Sequence, residues 1–344
     1  MASDFGTWDD IRANAKKLTA PKCAQCPVCN GKYCAGVSPG PGGKGSGSTF
    51  QRNAAYLRDH VKLDMRSLGE PGDADTGIFL FDRKLSMPVM AAPLGMVKFS
   101  YGVDMTDFEY DDMLLAGLED ACTIGFTGGG VSSEHFLEPL RAVKAHTNGI
   151  PTIKPWAMDK VRESLRDIEE AGPVAFAMDV DSAGLAHSKM SANPQYRKTA
   201  AELAEIAGMS RLRFIVKGIM TEKEAAAAAA SGAYAIVVSN HGGRVIEDGL
   251  STAEVLPGIA SKVRGRVKIF VDGGVRTGTD VFKMLALGAD AVLVGRPFAT
   301  AVIGGGREGA AFLAGRLKEE LEAAMRMTDC RVLSDITPDK VRIV

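Results

Sequence analysis

Between residues 88 and 294 the chain alternates short, unbroken apolar runs with longer amphipathic stretches. The runs fall at 88–92, 123–127, 152–154, 174–179, 214–217, 236–239, 269–272 and 291–294. Rich in Val, Ile, Phe and Ala, they predict strands buried on both faces of a parallel sheet. The stretches between them, 108–121, 134–146, 159–171, 196–207, 222–231, 253–263 and 279–287, read as helices. Several end at glycine (Gly172, Gly208, Gly232, Gly288), which accepts a left-handed C-terminal cap. Eight strands alternating with helices predict an α/β fold, a (β/α)8 TIM barrel. An open doubly wound sheet is the alternative, but it calls for a Gly-rich phosphate turn after the first strand, and none stands there.

Outside the repeat, residues 8–18 predict an amphipathic helix and 50–68 a helix with a connecting segment, Asn53 and Arg58 facing polar surroundings. Residues 36–48 hold too much Gly and Pro for regular structure and read as a linker or an ordered loop lying over the pocket. A hairpin or edge strand is expected at 79–85 and a closing helix at 308–327. The division expected is an N-terminal extension over 1–80 and a barrel over 81–344.

A chain of 344 residues, 46% hydrophobic and 24% charged, suits a soluble domain with a large core. A net charge of −1 with no basic block argues against nucleic acid or an acidic membrane as partner. The acidic start lacks an apolar signal segment, and no apolar run approaches the roughly 20 residues a membrane helix needs. A cytoplasmic location is therefore expected. Cys23, Cys26, Cys29 and Cys34 crowd one short segment, while Cys122 and Cys330 stand alone. The C-x2-C-x2-C-x4-C spacing is closer to an iron–sulfur run than to paired zinc knuckles. A structural zinc, an iron–sulfur centre and reduced thiols stay open.

Candidate chemistry gathers just after the strands, where a barrel carries its active site. The sixth strand ends in Ser239-Asn240-His241-Gly242-Gly243-Arg244, a base and a guanidinium on permissive backbone. Asp272-Gly273-Gly274-Val275-Arg276 and Gly295-Arg296-Pro297 follow strands seven and eight. Their bare amides and two arginines suit a terminal phosphate. Lys217 ends a buried strand and must meet a partner or an electron-rich ligand. The earlier strands end in Ala91-Ala92-Pro93-Leu94, Thr127, Lys154-Pro155-Trp156 and Asp179-Val180-Asp181.

Ile215-Val216-Lys217-Gly218, the 239–244 segment, the 272–276 segment and 295–297 together resemble the FMN-dependent α-hydroxy-acid oxidase/dehydrogenase family, which includes glycolate oxidase, lactate oxidase and mandelate dehydrogenase. The resemblance implies FMN at the barrel's carboxyl face. Lys217 would then sit at the flavin N1/O2 edge, and Ala91, Ala92 and Pro93 would line the N5 side. Thr127, Asp179 and Ser239 would touch the cofactor, while Asp272, Gly273, Gly274, Arg276, Gly295 and Arg296 would hold ribityl and phosphate. His241 would be the general base, Asp181 would stabilise its protonated form, and Arg244 would bind the carboxylate of a 2-hydroxy acid. The electron acceptor, O2 or another, is open, and a homo-oligomer is expected from the resemblance.

Two departures stand out. The family's tyrosine after strand three and arginine after strand four are missing, with Lys154, Trp156 or Lys189 a candidate anion ligand in their place. The cysteine cluster is the other. The alternatives kept are an FMN-dependent isomerase of the isopentenyl diphosphate type and a redox-sensing flavoprotein.

Overall fold

A computed structural model describes residues 6–69, 72–191 and 193–344. The first five residues, part of the acidic start, lie outside the described ones. The extension holds α1 (Trp8–Thr19), α2 (Ser48–Asp59), β1 (Val61–Leu63) and the antiparallel hairpin β2 (Ile78–Leu80) and β3 (Arg83–Leu85). Then come β4 (Val89–Ala91), α3 (Val97–Tyr101), α4 (Asp107–Asp120), β5 (Gly125–Thr127), α5 (Glu134–Ala145), β6 (Gly149–Ile153), α6 (Met158–Ala171) and β7 (Ala175–Asp179). The second half is α7 (Ala200–Met209), β8 (Arg213–Ile219), α8 (Glu222–Ala230), β9 (Ala235–Val238), α9 (Thr252–Val263), β10 (Lys268–Val271), α10 (Gly278–Ala286) and β11 (Ala291–Val294). A long α11 (Arg296–Arg326) and β12 (Val341–Ile343) end the chain. Strands β4 to β11 pair in parallel and in chain order into a closed barrel, as the alternation predicts.

Side-chain parity explains why these strands carry no polar face. Ala175, Ala177, Ile215, Ala235, Val237, Phe270, Ala291 and Leu293 form an inner core. Their neighbours Phe176, Val216, Ile236, Val238, Val271 and Val292 join the outer core under the helices. Both faces are dry, so every second residue in either direction must be apolar. One step beyond the inner core, the same parity puts Ala92, Lys154, Asp179, Lys217, Ser239, Asp272 and Gly295 in the barrel's top layer.

Caps set the helix starts. Thr199 and Glu202 form a reciprocal capping box, so α7 begins four residues later than its apolar pattern suggests. The closing helix starts at Arg296, well before 308, and bends where Gly306 (φ 56°, ψ −141°) leaves helical geometry. The β2–β3 hairpin tucks Leu80, Phe81 and Leu85 into the inner core, Phe81 lying 5.1 Å from the Tyr234 ring, and closes the barrel's far end. A boundary between residues 80 and 81 would cut this hairpin. β1 pairs with β12, and α1 packs along α11, so the extension is built into the barrel. Among the described residues no helix is long and apolar enough to cross a membrane.

Candidate active site

The top layer is an ionic network. Lys154 Nζ lies 2.8 Å from Asp179 Oδ2, and Lys217 Nζ lies 3.0 Å from Asp179 Oδ1 and 3.7 Å from Asp272 Oδ2. All four side chains are buried. Burial alone would push the Asp179 carboxyl up, but the two ammonium groups outweigh it and hold it well below the usual carboxylate range. Burial likewise disfavours charge on Lys217, and the carboxylates of Asp179, Asp272 and Asp181 reverse that, keeping it protonated. For Asp272 burial wins over Lys217 and raises the carboxyl.

The loop after β9 hangs from this network. Ser239 Oγ donates to Asp272 Oδ2 (2.9 Å) and accepts from the His241 amide (3.1 Å). The Asn240 carboxamide exchanges two hydrogen bonds with Asn53 of α2, at 2.8 and 2.9 Å, and accepts from the Gly243 amide. His241 sits at φ 56°, a strained conformation that turns its ring toward Asp181, with Nδ1 at 3.0 Å from Oδ1. A carboxylate only accepts, so this bond keeps the proton on Nδ1 and leaves Nε2 with a free lone pair. Burial first, then Lys217, lowers the imidazole below its ordinary value, while Asp181 pulls the other way. Asp179, Asp181 and His241 bring ligand-type atoms within 4.8 Å of one another, the only such group found among the described residues. Each is already engaged in the ion pairs above, so we read the trio as one electrostatic unit.

Above the network lies an open cleft at the barrel mouth. Ala92, Pro93 and Leu94 give it a flat wall of small and apolar groups, and Lys217, His241 and Arg244 reach it from the barrel mouth. Gly273, Gly274, Arg276, Gly295 and Arg296 line its other end. Gly274 has φ +84° and packs against the Asn53 carbonyl so closely that no side chain fits. Gly295 precedes α11 without a side-chain cap, leaving the helix's first amides open to an anion. The guanidinium groups lack acid partners: Arg276 donates to the Cys29 carbonyl and Arg296 to the Pro41 and Gly42 carbonyls. Arg244 Nε has no partner at all, and burial together with Arg296 pushes its guanidinium down to about 10. Half-buried cations without carboxylates, beside bare amides, fit a group that carries a phosphate, and the flat wall fits a ring system.

The expected residues divide into two sets. Ala92, Pro93, Lys217, His241, Arg244, Asp272, Gly273, Gly274, Arg276, Gly295 and Arg296 meet in the cleft. Ala91, Thr127, Lys154, Asp179, Asp181 and Ser239 stand behind it, and Lys154 is held by Asp179 rather than projecting to a ligand. The 36–48 loop does cross the mouth: Lys44 Nζ donates to the Gly184 and Val245 carbonyls, both at 2.9 Å. Tyr101, buried and lining the cleft, was missed. It rides on a five-residue helix too short to show periodicity, whose first amides are held by the Asp107 carboxylate at 2.9 Å.

A barrel with a cation-rich, glycine-lined cleft at the carboxyl ends of its strands defines a phosphate-bearing-cofactor enzyme of the TIM-barrel class. The chain matches the model of the FMN-dependent dehydrogenases over residues 40–198 and 182–343, and it belongs to that family. A peroxisomal (S)-2-hydroxyacid oxidase of Arabidopsis thaliana is 36% identical over 341 residues, covering 88% of this chain and 90% of that protein. An L-lactate oxidase of Lactobacillus jensenii is 42% identical over 159 residues, 46% of this chain but only 39% of that protein's length. A solved mandelate oxidase bound to 2-hydroxy-phenylacetamide is 25% identical, with a TM-score of 0.77 over 97% of this chain and 98% of its own.

Proposed function

We propose that this chain oxidises a 2-hydroxy acid to the 2-oxo acid, with FMN taking the electron pair. The observation that carries this reading is one cleft holding His241 and Arg244 together, the latter with an unpartnered Nε. Arg244 is placed to receive a carboxylate in bidentate fashion and so to set the acid beside the base. Neutral His241 takes a proton at Nε2 as the alcohol becomes a carbonyl, and Asp181 stabilises the imidazolium that results. When bound, FMN supplies the two-electron acceptor. Lys217, kept charged by its carboxylate neighbours, would supply a fixed positive charge beside the reduced cofactor. Gly273, Gly274, Arg276, Arg296 and the start of α11 would hold its phosphate. The proton has a base and the carboxylate a cation, an arrangement that favours oxidation over isomerisation of a diphosphate.

Anaerobic titration of the FMN-loaded protein with lactate, glycolate and mandelate tests this, read as loss of the oxidised flavin absorbance. Bleaching by at least one acid, abolished by His241→Gln with FMN still bound, is expected. If none of the acids bleaches the flavin, the reading fails.

A further inference from the structure

One motif has no part in the cleft chemistry. Cys23, Cys26, Cys29 and Cys34 all line a second cavity between the extension and α11. It adjoins the phosphate end of the cleft, sharing Pro41, Tyr101, Arg276 and Arg296 with it. We propose that these four cysteines bind an iron–sulfur cluster of the [4Fe–4S] type in that cavity.

Four features of the site support it. First, the thiols belong to one anchored loop. Thr300 of α11 donates to Gln25 Oε1 at 2.7 Å, Arg276 donates to the Cys29 carbonyl at 3.0 Å, and Gly31, at φ +79°, lies flat against the Phe50 ring. Such a loop is a template rather than a floppy tail. All four cysteines are free and only partly buried, so none is locked away in the core or in a disulfide.

Second, the charge is right. Four thiolates around an oxidised four-iron cluster leave a net negative complex. The cavity wall carries Arg12, Arg276, Arg296 and Arg316 and no acidic side chain. Arg12 and Arg316 have partners in Asp9 and Glu320, whereas the Arg276 and Arg296 guanidinium groups lie over the Phe50 ring and donate to carbonyls, Arg276 also reaching Cys29 Sγ at 3.6 Å.

Third, the spacing is wide for a single zinc ion. Tetrahedral zinc thiolates sit about 3.8 Å apart, given Zn–S bonds near 2.3 Å. Among the described residues no three cysteine sulfurs lie within 4.8 Å of one another. A four-iron core holds its outer thiolates farther apart than one metal ion does.

Fourth, all four ligands turn to one space. In two-cluster ferredoxins the last cysteine of a similar run serves a different cluster. Here Cys34 faces the same cavity as the first three, so one cluster is complete within the loop.

The test is metal analysis of the full chain purified without oxygen, alongside Cys26→Ser/Cys29→Ser and Cys122→Ser. About four iron and about four acid-labile sulfide per chain are expected, with an electron paramagnetic resonance signal on dithionite reduction. The double variant should lose the iron and keep its FMN, and Cys122→Ser, at an exposed site outside the loop, should keep both. FMN counted in the same samples separates failure here from failure of the flavin reading. Zinc in place of iron overturns the proposal. So does wild-type protein without iron after anaerobic reconstitution with ferrous iron and sulfide, or a double variant that still holds its iron. The wild-type count decides even where the double variant fails to fold.

Discussion

His241 Nδ1 stands 3.0 Å from Asp181 Oδ1, and that one contact fixes which imidazole nitrogen can act as a base. Burial, then Lys217, holds the imidazole below its ordinary 6.5, and Asp181 opposes both. In the proposed reaction the neutral form accepts the proton, so flavin reduction should rise with pH through an inflection below that value and stay level above it. Asp181→Asn removes the carboxylate that favours the imidazolium. The inflection should move lower still, and the plateau should fall by about 10- to 100-fold. Anaerobic stopped-flow reduction across a pH series reads both numbers. An inflection left in place by the substitution would disconnect Asp181 from the base.

Asp179 lies between two buried ammonium groups, Lys154 at 2.8 Å and Lys217 at 3.0 Å. Asp179→Ala strands Lys154 and leaves Lys217 only its longer contact with Asp272, and the cost should be about 3–5 kcal/mol in urea unfolding at neutral pH. The pH dependence has a defined sign. The folded carboxyl is held below its unfolded 3.8, so its stabilisation is complete above that value and is lost as acid titrates the folded state. Asp272, raised by burial, slopes the other way. Wild type should therefore lose more stability than the Ala variant as pH falls below about 4. Equal losses would mean Asp179 is not ionised in the fold.

Much of this site can be read from the strands alone. In β7, Ala175 and Ala177 face inward, so Asp179 must do so too; in β8 the same step carries Ile215 to Lys217, and in β10 Phe270 to Asp272. Glycines after the last two strands mark the proposed phosphate end, and Gly273 and Gly274 are also required by their close approach to Asn53. Lys154 shows where such reading stops. Parity places it inward, yet only the β6–β7 register tells that it meets Asp179 before it meets any ligand. Tyr101 is harder still, because a five-residue helix held by the carboxylate of Asp107 has no pattern of its own.

The loop over the cleft is fastened by Arg296 at Pro41 and Gly42 and by Lys44, whose ammonium spans the Gly184 and Val245 carbonyls while its amide donates to the Gly243 carbonyl. Lys44→Met keeps the apolar stem and deletes both charge-assisted bonds. The backbone bond remains, so the fold should persist. Limited proteolysis within 36–47 should quicken about tenfold, corresponding to the loss of about 1.4 kcal/mol of local closure. Added FMN should slow that cleavage in both proteins if the loop closes over the cofactor. Identical cleavage of variant and wild type would show that the loop is held elsewhere.

Tyr101 gives the sharpest prediction about substrate. It is buried, lines the cleft beside Arg244 and Arg296, and lies on α3, whose first amides are fixed by Asp107. Burial keeps its phenol protonated, so it can donate a hydrogen bond near Arg244, the guanidinium proposed to receive the carboxylate. Tyr101→Phe changes neither volume nor the packing of α3. A lost hydrogen bond to bound substrate should raise KM for the 2-hydroxy acid by about tenfold, or about 1.4 kcal/mol, with FMN content unchanged. If the phenol also follows charge that develops as the carbonyl forms, kcat falls with it, and the split between KM and kcat reports which. Unaltered kinetics would instead assign Tyr101 to the wall shared with the cysteine cavity, where its ring rather than its hydroxyl is what the fold uses.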